Sequence, residues 1–276
     1  IPKGTKLKFS ADSALIAKGP LVIQGTKELP VTLTGLEKQK YWQGIVVLNS
    51  LNSSTWSHAN IENTSGINQN GWELTGGVNF YESDIKMNNV HFLGNHTEDA
   101  LNIVRSKFKL KNIIIENTLS DAFDSDFSEG EVITSFFKNI GSKGGGDGID
   151  VSGSEVKVSK TQFLNISDKA ISVGEKSNLE ANEIYIKTAD IGTASKDGST
   201  LFLSNSNFTE IKKAGLMAYI KKGEYGPAKI VAKNLKFQST QFNALAQKEN
   251  KIFIDGVEIP HTDINVKELY SSKDNL

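Results

Sequence analysis

Ser120-Asp121-Ala122-Phe123-Asp124-Ser125-Asp126-Phe127 contains a phrase that the chain uses five times. Asp99-Ala100-Leu101-Asn102-Ile103 precedes it, Asp147-Gly148-Ile149-Asp150-Val151 and Asp168-Lys169-Ala170-Ile171-Ser172-Val173 follow it, and Asp190-Ile191-Gly192-Thr193-Ala194-Ser195 is a looser copy. The leading aspartates stand 22, 26, 21 and 22 residues apart. A period near twenty, made of short β-type runs and polar turns, is the sequence form of a β-solenoid. Such a chain stacks equivalent residues of successive coils, so a site is read as a column.

Working outward, short runs of the same kind fill the rest of the chain. Lys6-Leu7-Lys8-Phe9, Leu21-Val22-Ile23, Asn89-Val90-His91-Phe92, Asn112-Ile113-Ile114-Ile115 and Asn207-Phe208-Thr209 are bounded by Gly, Pro, Asn or Asp turns. Period-two alternation sends Phe123, Ser125, Ile149, Val151, Ile171 and Val173 inward, and Asp124, Asp126, Asp150, Ser172 and Lys196 outward. Every unit reads in one direction and the single Asn-Gly pair, Asn70-Gly71, stands alone, so the pairing is expected to be parallel. The expected fold is all-β: one right-handed parallel β-helix of about ten coils over residues 1–243. Residues 244–276 lose the repeat and read as a C-terminal cap or tail that shields the open edge.

Composition narrows the function. A hydrophobic fraction of 38% with only 8% aromatic suits a narrow aliphatic core. Thirty-one basic against 32 acidic residues argue against broad binding to nucleic acid. No apolar run approaches the roughly 18 residues of a membrane span, so membrane insertion is not expected. With no cysteine, disulfides and thiolate metal sites are excluded. The chain opens on Ile1 without a Met, as a segment of a larger chain would, and the outer face lacks the broad apolar surface of a trimer, so it reads as a monomer.

In coil pattern the chain resembles the right-handed parallel β-helix family that includes pectate-lyase-like and alginate-epimerase-like proteins, grouped as carbohydrate-binding and sugar-hydrolysing β-helices. The three central phrases and the closing Ile264-Asn265-Val266-Lys267-Glu268-Leu269-Tyr270 are similar to β-helix regions of bacterial surface proteins that also carry spore-coat-kinase-like modules. The resemblance implies a secreted or cell-surface, glycan-related bacterial setting, with a polysaccharide as partner. It implies no catalytic residue.

Stacking places Asn102, Asp124, Asp150, Ser172 and Ala194 in one outward column, and Val104, Asp126, Ser152, Gly174 and Lys196 in the next. Coils are about 4.8 Å apart and alternate residues about 6.6 Å, so Asp124, Asp126 and Asp150 come near enough to share a cation or a proton. Two chemistries suit them. In the first the three hold Ca²⁺, with Glu175 completing the shell, and Lys196, Lys169 or Lys221 abstracts the proton of an acidic sugar in β-elimination. Asp150 takes part in that reaction as well as in metal binding. In the second, paired carboxylates hydrolyse a glycoside. Flanking lysines favour elimination.

Simpler readings stand beside these. Asp99, Asp121, Asp147, Asp168 and Asp190 read as turn residues whose carboxylates bond backbone N–H groups. Trp42 and Trp72 precede apolar runs and read as packing, whereas Tyr219, with Lys221, reads as a sugar platform walling a groove. The competing function is a non-catalytic surface spacer, adhesion or carbohydrate-binding module. It predicts that Asp124 and Asp150 are paired internally.

Overall fold

A computed structural model describes residues 1–37, 40–69 and 71–271. The chain winds as a parallel β-helix with three strand stacks. Asp99–Val104, Asp121–Asp126 and Ile149–Ser152 pair parallel in one stack. Lys107–Lys111, Glu129–Ile133, Glu155–Ser159 and Asn178–Asn182 form the second. Ile114–Glu116, Phe136–Ile140 and the first part of Gln162–Gly174 form the third. Alternation explains the cross-section: Phe123, Ser125, Ile149, Val151, Ile171 and Val173 all point inward and are buried.

Inside, like side chains stack on like. Phe137 and Phe163 lie parallel with ring centroids 4.9 Å apart, and Phe208 and Phe237 stack at 5.1 Å. Truncating one such ring to Ala would cost about 3–5 kcal/mol through lost burial and the cavity left behind.

The corners explain the Asn and Ser content. Asn117, Asn139 and Asn165 adopt φ of 58°, 53° and 59°, a left-handed turn that Asn tolerates better than most residues. Their amides chain together, Asn139 Nδ2 donating to Asn117 Oδ1 at 2.9 Å and Asn165 Nδ2 to Asn139 Oδ1 at 3.0 Å. At another corner a buried serine ladder takes up main-chain donors that no strand can reach. Backbone N–H groups of Ser83, Ser106, Ser128 and Ser154 donate to Ser106, Ser128, Ser154 and Ser177 Oγ at 2.7, 3.0, 2.9 and 3.0 Å.

Two departures from the coil position the site. A small antiparallel ribbon, Ile67–Gln69 against Trp72–Leu74, brackets Asn70, which lies outside the described residues. At the C-terminal end, parallel pairing runs on through Ala246, so the boundary expected after residue 243 falls inside the strand Lys229–Ala246. Lys251–Ile254 adds a final parallel rung and Val257–Glu258 folds back on it antiparallel, closing the end. The chain then turns along the side of the helix. Ile264, Val266, Leu269 and Tyr270 pack on Ile191, Ala194, Ala214, Met217 and Tyr219. Residues 272–276 of the expected cap lie outside the described residues. No helix among the described residues is long and apolar enough to cross a membrane.

Candidate functional site

The first strand stack presents two outward columns. One runs Val46, Asn79, Asn102, Asp124, Asp150, Ser172, Ala194, Met217 and Leu245. The other includes Leu48, Tyr81, Val104, Asp126, Ser152 and Gly174, with Lys196 beside Tyr219 farther along. The flank is therefore banded: apolar and aromatic, then carboxylate, then lysine and hydroxyl, then apolar again under the C-terminal segment.

In the carboxylate band, the turn aspartates join the column. Oxygens of Asp121, Asp147 and Asp150 lie within 4.8 Å of one another. Asp121 Oδ1 accepts from the Asp147 N–H at 2.8 Å, and Asp147 Oδ1 from the Lys169 N–H at 3.0 Å. These carboxylates do cap main-chain donors, as turn residues would, and they face the site as well. Asn102 Nδ2 bridges Asp99 Oδ2 at 3.2 Å and Asp124 Oδ2 at 3.4 Å. Crowding has its consequence in protonation. Burial, tempered by bonds from Thr75 and Asn102, lifts the Asp99 pKa to about 7. Burial, then the charges of Asp147, Asp99 and Asp150, lifts Asp121 well above the usual range. Burial, then Asp99 and Asp150, does the same to Asp124. Asp126 is raised by burial and by Asp150 and Glu175, with Arg105 opposing.

The expected metal set was Asp124, Asp126 and Asp150. Among the described residues the compact set is Asp121, Asp147 and Asp150, and only Asp150 is common to both. The reason is geometric: Asp126 lies about 6.6 Å along the strand from Asp124, whereas the turn bends Asp121 and Asp147 toward Asp150. Oxygens within 4.8 Å of each other can bridge a cation with Ca–O distances of about 2.3–2.6 Å. Asp150 Oδ1 is buried without a hydrogen-bond partner, which also fits such an ion.

The lysines do not sit as a base requires. Lys196, expected to face solvent, is 5% exposed, because the C-terminal segment covers that end of the flank. Its Nζ lies 3.5 Å from Asp150 Oδ2. Burial alone would lower its pKa, but Asp150 outweighs burial and the net shift is upward. Lys169 is buried between Asp147, at 3.0 Å, and Asp168, and these two likewise outweigh burial. Only Lys221 moves down, through burial and the charge of Lys196; its Nζ lies over the Tyr270 ring at 4.3 Å. Glu175 accepts from Ser152 Oγ at 2.7 Å and Lys222 Nζ at 2.5 Å, at the rim of the band. Tyr219 is not a platform: it is 1% exposed, with its hydroxyl 2.6 Å from that of Tyr270.

One of several open grooves on the described surface lies at the other end of the carboxylate band. It has a volume of about 580 Å³, its lining including Trp72, Thr75, Asn79, Tyr81, Asn102 and Asp126. Trp72 and Tyr81 are 40% and 37% exposed. Trp72 escapes a reading by periodicity because it sits on the ribbon, outside the coil. Arg105, the only arginine of the chain, donates to Tyr81 Oη at 2.5 Å and faces the Phe127 ring at 5.5 Å.

No family model matches the chain, and no curated protein matches it. The chain is distantly similar to several solved structures. The catalytic domain of a GH87 alpha-1,3-glucanase in complex with nigerose is 12% identical, with a TM-score of 0.46 over 92% of this chain and 61% of that one. The enzymatically active domain of bacteriophage CBA120 tailspike protein 2 is 11% identical, with a TM-score of 0.46 over 92% and 48%. An alginate lyase from Paenibacillus sp. str. FPU-7 is 12% identical, with a TM-score of 0.38 over 91% and 93%. The chain thus spans about six-tenths of the glucanase domain.

Proposed function

We propose that this protein engages a polysaccharide along the banded flank and hydrolyses it with carboxylate acid–base chemistry. The observation that carries the reading is the pairing of Asp124 and Asp150 one coil apart. Burial and the charges of Asp99 and Asp150 raise the Asp124 pKa and so favour its acid form, while Asp150 is ion-paired with Lys196. A carboxylic acid beside a carboxylate is the division of labour that glycoside hydrolysis needs. In this reading Asp124 gives its proton to the glycosidic oxygen as the C–O bond breaks. With the two carboxyls one coil, about 4.8 Å, apart there is no room for a water between them, so Asp150 itself bonds the anomeric carbon. Water then displaces it, giving a proton to Asp124. The setting that goes with such a substrate is extracellular, at the surface of the cell or beyond it.

Elimination ranks second, because Lys169 and Lys196 stay protonated in their ion pairs and the role would fall to Lys221. Ca²⁺ belongs with that second reading: Asp121, Asp147 and Asp150 would hold it, and it would neutralise a uronate carboxylate. The internal partners of Asp124 and Asp150, Asn102 and Lys196, speak for the non-catalytic module.

One assay separates the three. A panel of neutral and acidic polysaccharides is incubated with the protein and with Asp124→Asn and Asp150→Asn. New reducing ends without unsaturated product, lost in both variants, support hydrolysis. Unsaturated product lost in Lys221→Ala makes the protein a lyase. No product from any polymer leaves a binding or spacer module.

A further inference from the structure

We infer that the groove between the Trp72–Leu74 ribbon and the carboxylate band is a binding subsite for uncharged sugar residues, held by stacking on Trp72 and Tyr81. The inference deepens the glycan reading above and rests on it for the polymer, not for the chemistry.

Three observations converge. First, a pyranose ring has an apolar face, and half-exposed aromatic rings beside polar side chains are what such a face packs against. Trp72 and Tyr81 supply the rings, and Thr75, Asn79 and Asn102 line the same groove with hydroxyl and amide groups. Second, Tyr81 is positioned rather than free: its hydroxyl accepts from Arg105, which also lies 5.7 Å from the ring centroid. This contact orients the phenol. Third, the groove opens onto the chemistry. Asn102 lines it and touches Asp99 and Asp124, and Asp126 forms its far wall. Tyr81 stands two coils, roughly 10 Å, from Asp126.

Charge selects the ligand class. The charged side chains that line the groove are Glu73 and Asp126, both acidic. A uronate, sulfate or phosphate polymer would bring its anions against these two acidic side chains with no lining cation to receive them. A neutral glycan meets no such penalty.

The molecule carries its own reporter. Trp42 and Trp56 are 0% and 1% exposed, so of the three tryptophans only Trp72 meets a dissolved quencher. Neutral hexasaccharides (glucans of several linkages, mannan, galactan) and uronate hexasaccharides would be titrated by calorimetry and by acrylamide quenching. The proteins are the wild type, Trp72→Ala, Trp72→Phe and Tyr81→Ala. The expected result is that a neutral hexasaccharide binds and shields Trp72. Trp72→Ala weakens it at least tenfold, Trp72→Phe restores much of that loss, and uronates bind far more weakly. Uronates binding as well or better, neutral binding unmoved by Trp72→Ala, or no binding at all would overturn the inference. Binding at Trp72 without product would leave the subsite standing and remove hydrolysis. Hydrolysis untouched by Trp72→Ala would do the reverse.

Discussion

Lys169 gives two hydrogen bonds to a single oxygen of Asp147: its main-chain N–H and its ammonium both lie 3.0 Å from Oδ1. The two residues belong to successive coils, so one carboxylate ties the backbone of the next coil and also neutralises a buried cation. Lys169 reaches Asp168 as well, and all three side chains are buried. Lys169→Met would leave two buried carboxylates without their ammonium. The expected cost is about 3–5 kcal/mol, read as a lower urea midpoint at neutral pH. An unchanged midpoint would show that water reaches these groups and that the network contributes little.

The acid cluster makes stability depend on pH in a direction opposite to an ordinary surface carboxylate. Asp99 rises from 3.8 to about 7 on folding, so between these values the folded state holds a proton that the unfolded state has lost. The associated stability is present at low pH and is lost as pH climbs toward 7, by up to about 1.4 kcal/mol per pH unit for one proton. Asp121 and Asp124 shift the same way. Urea midpoints at pH 5, 6 and 7 are expected to fall stepwise in the wild type and less in Asp99→Asn. Equal slopes for the two proteins would contradict the assignment.

Tyr270 closes the lysine end of the flank by packing on the apolar group that includes Met217 and Tyr219. Tyr270→Ala is expected to cost about 2 kcal/mol and to speed amide exchange in Tyr185–Lys196, the strand beneath it. Tyr270→Phe removes only the hydroxyl contact with Tyr219 and should cost about 1 kcal/mol. If both variants exchange like the wild type, the segment does not hold that end.

Calcium calorimetry distinguishes the two carboxylate sets. If Asp121, Asp147 and Asp150 bind the ion, saturable heat should vanish in Asp121→Asn and Asp150→Asn and persist in Asp126→Asn. Loss in Asp126→Asn with retention in Asp121→Asn would transfer the ion to the outward columns. A wild type without heat would remove Ca²⁺ from both.

The register from Asn102 through Asp124, Asp150 and Ser172 to Ala194 is legible in the sequence, because a repeated phrase and strict alternation leave one way to stack the coils. Asp121 and Asp147 are harder to place: they lie where alternation ends, and only the bend of the turn aims them at Asp150. Tyr219 is mistaken for a surface residue because the segment that covers it arrives from about fifty residues away and shares no period with it. Lys196 is misjudged for the same reason. Trp72 follows no coil rhythm at all. The serine ladder has a faint signal, Ser106, Ser128, Ser154 and Ser177 recurring near the coil period, but serine in a turn is too common to single out.

The banding of the flank turns coil number into a gauge. Each turn of the chain advances the surface by about 4.8 Å whatever its side chains, so the reach from the Tyr81 ring to the Asp126 carboxyl is counted in whole rungs. Inserting or deleting one coil of about twenty residues between them would change that reach by one rung while every rung kept its chemistry. Length discrimination in such a molecule is inherited through the size of the repeat array, and chemical discrimination through the residues upon it.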